Sequence, residues 1–304
     1  MICEQPVGNL LGIFLADLIA RMLVKQDDSP LEIVAANASS TSDDAESSFV
    51  PDLPIEPKKV SITRVRHQDR LSGLDVSHHQ GKIAWRRVVE AGHIFAIIKS
   101  TEGGTNSRGK GFIDKYFDDN VEMARDAGLP VLGSYHFATW YNMDPKNPKK
   151  DAVNEAEHHF KTLEVNKALG AGYFPPILDL EGDRREPKDN KLEDGPIIEW
   201  AMRYQERMEK LCGRLPWMYT GYWFDYRLGQ PNEFRKFPLW LARYNGGSEP
   251  TRAPPNWPWI IWQYSGNGKS AGINARVDMN RFAGTAANLL ELALLPPAAV
   301  AAVA

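Results

Sequence analysis

From Leu71 onward the chain alternates short, almost continuously apolar runs with amphipathic helical stretches, and few folds accept that pattern. "IFAIIKSTEG", "LPVLGSYHFA", "PPILDLEG" and "PWMYTGYW" are apolar at consecutive positions instead of at every second one. Strands of that kind have both faces buried, as in parallel sheets covered by their crossover helices. The intervening segments supply the helices. "WRRVVEAG" closes at Gly92, and "FIDKYFDDNVEMARDAG" carries apolar residues at 112, 113, 116, 117, 121 and 124 before stopping at Gly128. "DAVNEAEHHFKTLEV" and "PIIEWAMRYQERMEKLCG" follow, the second halted by Gly213. Helices then thin out: "FPLWLARY", "WPWIIWQYS" and "ARVDMNRF" are separated by loops, and "AANLLELALL" is a closing helix. About eight strands in roughly 225 residues suit a closed barrel better than an open sheet. The expected fold is therefore α/β, a TIM-like (β/α) barrel with about eight strands and fewer helices in the C-terminal half.

The first 70 residues differ in kind. "GNLLGIFLADLIARMLV" is strongly apolar, yet Asp17 and Arg21 interrupt it at helical i,i+4 spacing and extend with Lys25 into a polar stripe. A bilayer span calls for about 20 mostly uncharged residues, which argues against a transmembrane helix. A secretory signal opens with a basic region, whereas Glu4 is the sole charge before Asp17. A docking helix and an atypical export segment both stay open. "AANASSTSDDAESS" has no apolar period and "VPDLPIEPKK" is spaced by prolines, the composition of a tether. The expected division is an apolar helix at 1–26, a flexible linker at 27–70, the barrel at 71–296 and a disordered tail at 297–304. A net charge of −3 gives no basic face for nucleic acid. Cys3 and Cys212 make neither a metal-type spacing nor a disulfide framework.

A barrel places function at the C-terminal ends of its strands, and the polar residues of the apolar runs fall there. Asp75 ends the first strand, Glu102 the second, Tyr135 and His136 the third, and Asp179 with Glu181 the fourth; Tyr219 lies in the fifth, Gln263 ends the seventh and Asp278 closes the eighth. By itself the Asp179–Glu181 spacing suits a helix first turn or a solvated loop. On a strand, residues i and i+2 share a side, about 6.5–7 Å apart at a rise near 3.3 Å per residue, so both carboxylates face the mouth. Two close carboxylates push their pKa values apart, leaving one acid and one anion, the pair that glycoside hydrolysis requires.

Other signals fail or stay bland. Adjacent His78 and His79 do not share a face, so no metal site is expected, and no cofactor is implied; His158 and His159 read as surface or packing residues. "SGNGKS" would need glycine at 263 to be a phosphate loop, and the chain has Gln263. Trp85 and Trp200 fit helix faces in the core, whereas Trp140, Trp223 and Trp240 are better placed for sugar stacking, with a core role as the open alternative. A chitinase-like pattern would require aspartate where Ile177 stands.

The set "GLDVSHHQG", "IIKSTEG", "GSYHFA", "PILDLEG", "MYTGYW", "LWLARY", "WQYS" and "VDMNRF", in this order, resembles the glycoside hydrolase family 25 lysozymes over about residues 71–283. The resemblance implies a β-1,4-N-acetylmuramidase acting on peptidoglycan glycan strands outside the cytoplasm, at the cell wall. It implies Glu181 as general acid/base and Asp179 as the group that orients the substrate's 2-acetamido arm during retaining catalysis. Asp75 and Asp278 match two further acids that hold the electrostatics of the site, and Glu102 matches the acid of a "TEG" motif with Lys99 just before it. Tyr135 and Tyr219 match aromatics lining the cleft; Trp240 and Gln263 complete the expected substrate-binding set. The 70 preceding residues depart from family members that begin near the first strand. They suggest delivery, with the helix docking to a phage particle, a secretion apparatus or a membrane. A wall-binding or assembly protein built on the same barrel is the non-enzymatic alternative.

Overall fold

The computed structural model describes residues 30–32, 61–103, 111–139, 143–144, 146–181, 194–221, 228 and 230–294. The expected N-terminal helix, most of the tether, Trp140, Trp223 and the C-terminal tail lie outside the described residues.

A two-stranded antiparallel piece, β1 (Pro30–Glu32) with β2 (Ser61–Thr63), precedes the main body. Eight strands then close into a barrel. In order around it they are β3 (Ser72–Val76), β4 (Phe95–Glu102), β6 (Val131–Thr139), β7 (Ile177–Glu181), β8 (Trp217–Thr220), β9 (Leu239–Ala242), β10 (Trp259–Gly268) and β11 (Val277–Phe282), and β11 returns to β3. A short β5 (Phe112–Ile113) pairs with the end of β4. Among the described residues the α-helices are α1 (Trp85–Glu90), α2 (Phe117–Asp126), α3 (Pro148–Val165), α4 (Asp194–Cys212) and α5 (Ala286–Leu292). β9, β10 and β11 follow one another with no helix between them, as the thinning of helical pattern implied.

One expectation needs correction: the sheet is not wholly parallel. β11 runs antiparallel to both β10 and β3. The connection from Gly268 to Val277 is too short for a parallel crossover, which takes a dozen residues or more. The chain turns back as a hairpin instead. Asp278 consequently sits at the start of its strand, and the reversal still brings it to the mouth, opposite Asp75.

Strand periodicity sorts the residues. In β7, Ile177 packs inside the barrel with Phe95, Val131 and Trp217. Leu178 and Leu180 point outward into a cluster with Trp200 and Tyr204 of α4. Phe95, Phe174 and Trp217 plug the bottom of the barrel. Gly73 is required there, because a Cβ at that position would collide with the Phe95 ring.

Residues 61–70, expected within the tether, are docked against that bottom end. Ile62 is buried in the interior cluster with Phe282 and Leu289. Asn288, part of the α5 capping box, accepts a hydrogen bond from the Thr63 amide (3.0 Å) and donates to the Ser61 carbonyl (2.9 Å). Arg64 and Arg70 lie over the Trp259 ring at 4.5 and 4.9 Å. Two cation–π contacts to one indole, an aliphatic anchor and a helix cap fix this strap where composition alone read as loose.

Candidate active site

Inward positions of the strands converge at the mouth. Asp75 on β3 faces Asp278 on β11 directly across the ladder, and Asp179 on β7 pairs in register with Tyr219 on β8. Alternation along β7 brings Asp179 and Glu181 to the same side, and their carboxyls share a hydrogen bond. Asp75 and Asp278 share another. The site thus holds two carboxyl couples.

Two amides clamp the first couple. Gln263 Nε2 and Asn280 Nδ2 both donate to Asp75 Oδ2, at 2.9 and 2.7 Å. Their own oxygens are spoken for: Trp240 Nε1 donates to Asn280 Oδ1 (2.8 Å), and the hydroxyls of Tyr219 and Tyr244 reach Gln263 Oε1 at 2.9 and 2.5 Å. Tyr219 is also within hydrogen-bond reach of Glu181. Because Tyr244 can satisfy Gln263, Tyr219 is able to donate to Glu181.

Burial is the main influence on all four acids. It pushes Asp75 well above the usual carboxylate range, with Asp278 adding repulsion and the two amides opposing. It lifts Asp278 to about 6 and Glu181 to about 6, the latter moderated by Tyr219. Asp179 is pushed well upward by burial and by Glu181, against the pull of the Lys99 ammonium. One oxygen of Asp179, Oδ1, is buried with no hydrogen-bond partner. Such a group costs about 1–3 kcal/mol when left unmatched.

The expected site residues do not all occupy equivalent places. Lys99 and Glu102 meet at 2.8 Å on the rim beside Asp179 and Glu181, with the Lys99 ammonium 4.5 Å from the Phe137 ring. Tyr135 and Tyr219 pack edge-on against Trp240, at 6.0 and 4.5 Å between centroids. Trp240, expected to stack on sugar, is only 1% exposed and its indole N–H is spent on Asn280; it supports the cleft from beneath. Gln263 is likewise buried with both ends engaged, so it positions Asp75 and the tyrosines. Sequence reasoning missed Tyr244 and Asn280. Tyr244 is 52% exposed, with its hydroxyl tied to Gln263. Asn280 stands two residues after Asp278 and so shares its side, a period-2 signal that was present in "VDMNRF". His78 Nδ1 is engaged with buried Asp114 at 2.8 Å.

Similarity to known proteins agrees with this geometry. The family model "Glycosyl hydrolases family 25" matches residues 74–273. Lysozyme M1 of Streptomyces globisporus is 33% identical over 226 residues, covering 73% of this chain and 71% of that protein. Among solved structures, a bacterial lysozyme from Streptomyces coelicolor superposes with a TM-score of 0.61 at 33% identity, covering 73% of this chain and 96% of that one. A family GH25 lysozyme from Aspergillus fumigatus gives 0.60 at 27% identity, covering 74% and 99%. The family match runs from Asp75 in β3 through the Asp179–Glu181 couple on β7 to the end of β10: the chain belongs to glycosyl hydrolases family 25 and is a glycoside hydrolase.

Proposed function

We propose that the enzyme hydrolyses peptidoglycan at the β-1,4 bond between N-acetylmuramic acid and N-acetylglucosamine, with retention and participation of the substrate's acetamido group. The observation that carries this reading is the Asp179–Glu181 couple: two hydrogen-bonded carboxyls with raised pKa values and one buried, unmatched oxygen. Carboxyls in contact leave no room for the water that inverting enzymes seat across a gap of about 6.5–9.5 Å.

In the free enzyme the couple's proton favours Asp179, the deeper member. An acetamido N–H donating to Asp179 Oδ1 stabilises that residue as the carboxylate, and the proton passes across the shared hydrogen bond to Glu181. The acetamido oxygen then attacks the anomeric carbon, the glycosidic C–O bond breaks, and Glu181 gives its proton to the leaving oxygen. Asp179 balances the positive charge on the resulting oxazolinium. Water, deprotonated by Glu181, opens that ring from the face the leaving group vacated. The Asp75–Asp278 couple adds the negative charge of its ionised member to the floor of the cleft, Tyr244 offers a stacking face, and Tyr135 and Tyr219 wall the cleft. This acid–base chemistry calls for no metal or cofactor.

The catalytic unit starts at the docked strap, near residue 61. The apolar segment and linker before it would place the barrel at the wall outside the cytoplasm, held by a phage particle, a secretion apparatus or a membrane. The compositional break in the first 60 residues supports that role.

Purified protein should clear a peptidoglycan suspension and release fragments whose reducing ends are N-acetylmuramic acid by mass spectrometry. N-acetylglucosamine ends would refute the bond assignment, and wall binding without release would favour the non-enzymatic alternative. A sugar ester trapped on Asp179 would replace acetamido participation by direct attack.

A further inference from the structure

A second polar cluster lies on the outer side of β4 and β6, beneath α3 and α4, and takes no part in the mechanism above. His136 Nε2 meets Glu155 Oε2 at 2.8 Å and His136 Nδ1 meets Thr101 Oγ1 at 2.8 Å. All three residues are buried. Burial drives His136 well below its ordinary pKa, and burial together with Asp151 drives Glu155 well above its own. Burial thus disfavours charge on either partner, and Thr101, His136 and Glu155 form one hydrogen-bonded chain. Asp151 anchors Glu155 and accepts from Trp200 Nε1 at 3.0 Å.

Thr101 occupies a particular place in the backbone. Along β4, Phe95 and Ile97 face the barrel interior and Ala96 and Ile98 face the helices. Strict alternation would turn Thr101 inward and Glu102 outward. The ladder with β6 slips between Lys99 and Thr101, so that Lys99 pairs with Tyr135 and Thr101 with His136, its next neighbour. One extra residue, Ser100, is accommodated as a β-bulge, a device that re-aims side chains beside active sites. Ser100 Oγ donates to the Tyr135 carbonyl at 2.9 Å. After the bulge Thr101 faces the outer cluster and Glu102 faces the cleft, where it bonds Lys99.

We propose that the Thr101–His136–Glu155 chain holds the Ser100 bulge in register, making Thr101 and His136 positioning residues that keep Glu102 in the cleft as the restraint on the Lys99 ammonium. The inference rests on the acid–base reading of Asp179 and Glu181. Without Glu102 at the rim, Lys99 is free to pair with the ionised member of that couple. Among the described residues, the charged or titratable groups acting on the couple are Lys99 from β4, itself paired with Glu102, Asp75 from β3, Asp278 from β11, Tyr135 from β6, Tyr219 from β8 and Tyr244 after β9.

The test is a double-mutant cycle between Thr101→Val, nearly isosteric but without the hydroxyl that bonds His136, and Glu102→Gln. It is read by 13C-carboxyl titration of Asp179 and Glu181 and by the pH profile of kcat on soluble muropeptide oligomers. Glu102→Gln should move the titrations and the alkaline limb of kcat to lower pH, because a freed cation stabilises the ionised acid. Thr101→Val should move them the same way by about half a unit. The double variant should go no further than Glu102→Gln alone, as coupled sites do. Thr101→Ser, which restores the hydroxyl, should return the titration to its starting position. Should Thr101→Val fold poorly, Ser100→Ala loosens the bulge from the Tyr135 side and carries the same expectation. Unshifted titrations, or shifts that add in the double variant, would reduce the cluster to a structural strut. The titration needs no substrate, so a wild type that titrates as described yet cleaves nothing would sink the functional reading and spare the inference.

Discussion

The inner and outer faces of the barrel wall carry polar clusters of opposite character. On the inner face, four carboxyls crowd together with raised pKa values, and Asp179 keeps a buried oxygen without a partner. On the outer face, both nitrogens of His136 and both of His159 are engaged: His159 reaches Ser134 at 3.1 Å and Tyr204 at 2.6 Å. Both clusters are dehydrated, so both bear the desolvation of their polar groups. The outer one recovers it through internal bonds and has nothing to offer a ligand. The inner one leaves it unrecovered until something binds. Between these two clusters, the unmatched Asp179 oxygen, more than the number of polar residues, separates the site from the strut.

Substitutions on either side can break that contrast. The largest effect is expected for Glu181→Gln, which keeps the shape and removes the transferable proton. Lysis should fall by about 10²–10⁴-fold while the melting temperature at neutral pH holds or rises. A variant that loses stability in step with activity would show the inner cluster to be a strut as well. Next comes the bottom strap, a satisfied region remote from the mouth. A chain starting at residue 66 forfeits the burial of Ile62 and the bonds to Asn288, worth about 3 kcal/mol together, relative to one starting at residue 61. Urea unfolding should report that difference, and both should retain full kcat on soluble oligomers at a temperature where they are folded. A loss of kcat specific to the shorter chain would tie the strap to the cleft.

The smallest effect is a pH dependence of stability. Glu181 has a folded-state pKa of about 6, above its ordinary value of 4.5. A raised acid contributes its stability below the unfolded pKa and loses it as pH rises through the folded one. Between pH 4 and 7.5 the wild type should therefore lose on the order of 2 kcal/mol through this residue, and Glu181→Gln should lose correspondingly less. Equal losses in the two proteins would mean that Glu181 ionises without strain.

The parts legible in the sequence were those governed by period. The apolar runs, the helical stripes and the D-x-E spacing at the end of β7 follow from side-chain alternation, and they located the barrel and the Asp179–Glu181 couple. Asn280 obeyed the same rule and was overlooked. The direction of β11 was not written in its apolar pattern, which suits either orientation; the missing helix between "WQYSGNG" and "ARVDMNRF" was the available sign. The Ser100 bulge breaks alternation by one residue, and no local composition marks it, because it depends on His136 across the ladder and Glu155 from a helix. Trp240 reads the same whether it stacks on sugar or supports the tyrosines, since only the position of Asn280 decides where its N–H goes. Ile62 looked like tether because its partners, Phe282 and Leu289, lie more than two hundred positions away.

The reversed last strand settles where the chain can be extended. With β11 running from mouth to bottom, the chain leaves next to the point where the strap enters, and Asn288 stitches exit to entry. Both leads emerge on the side away from the glycan, like the cord of a hand tool. Fusions, anchors or spacers of any length can therefore be added at either end of this domain while the opening keeps its full approach angle to a flat, cross-linked mesh.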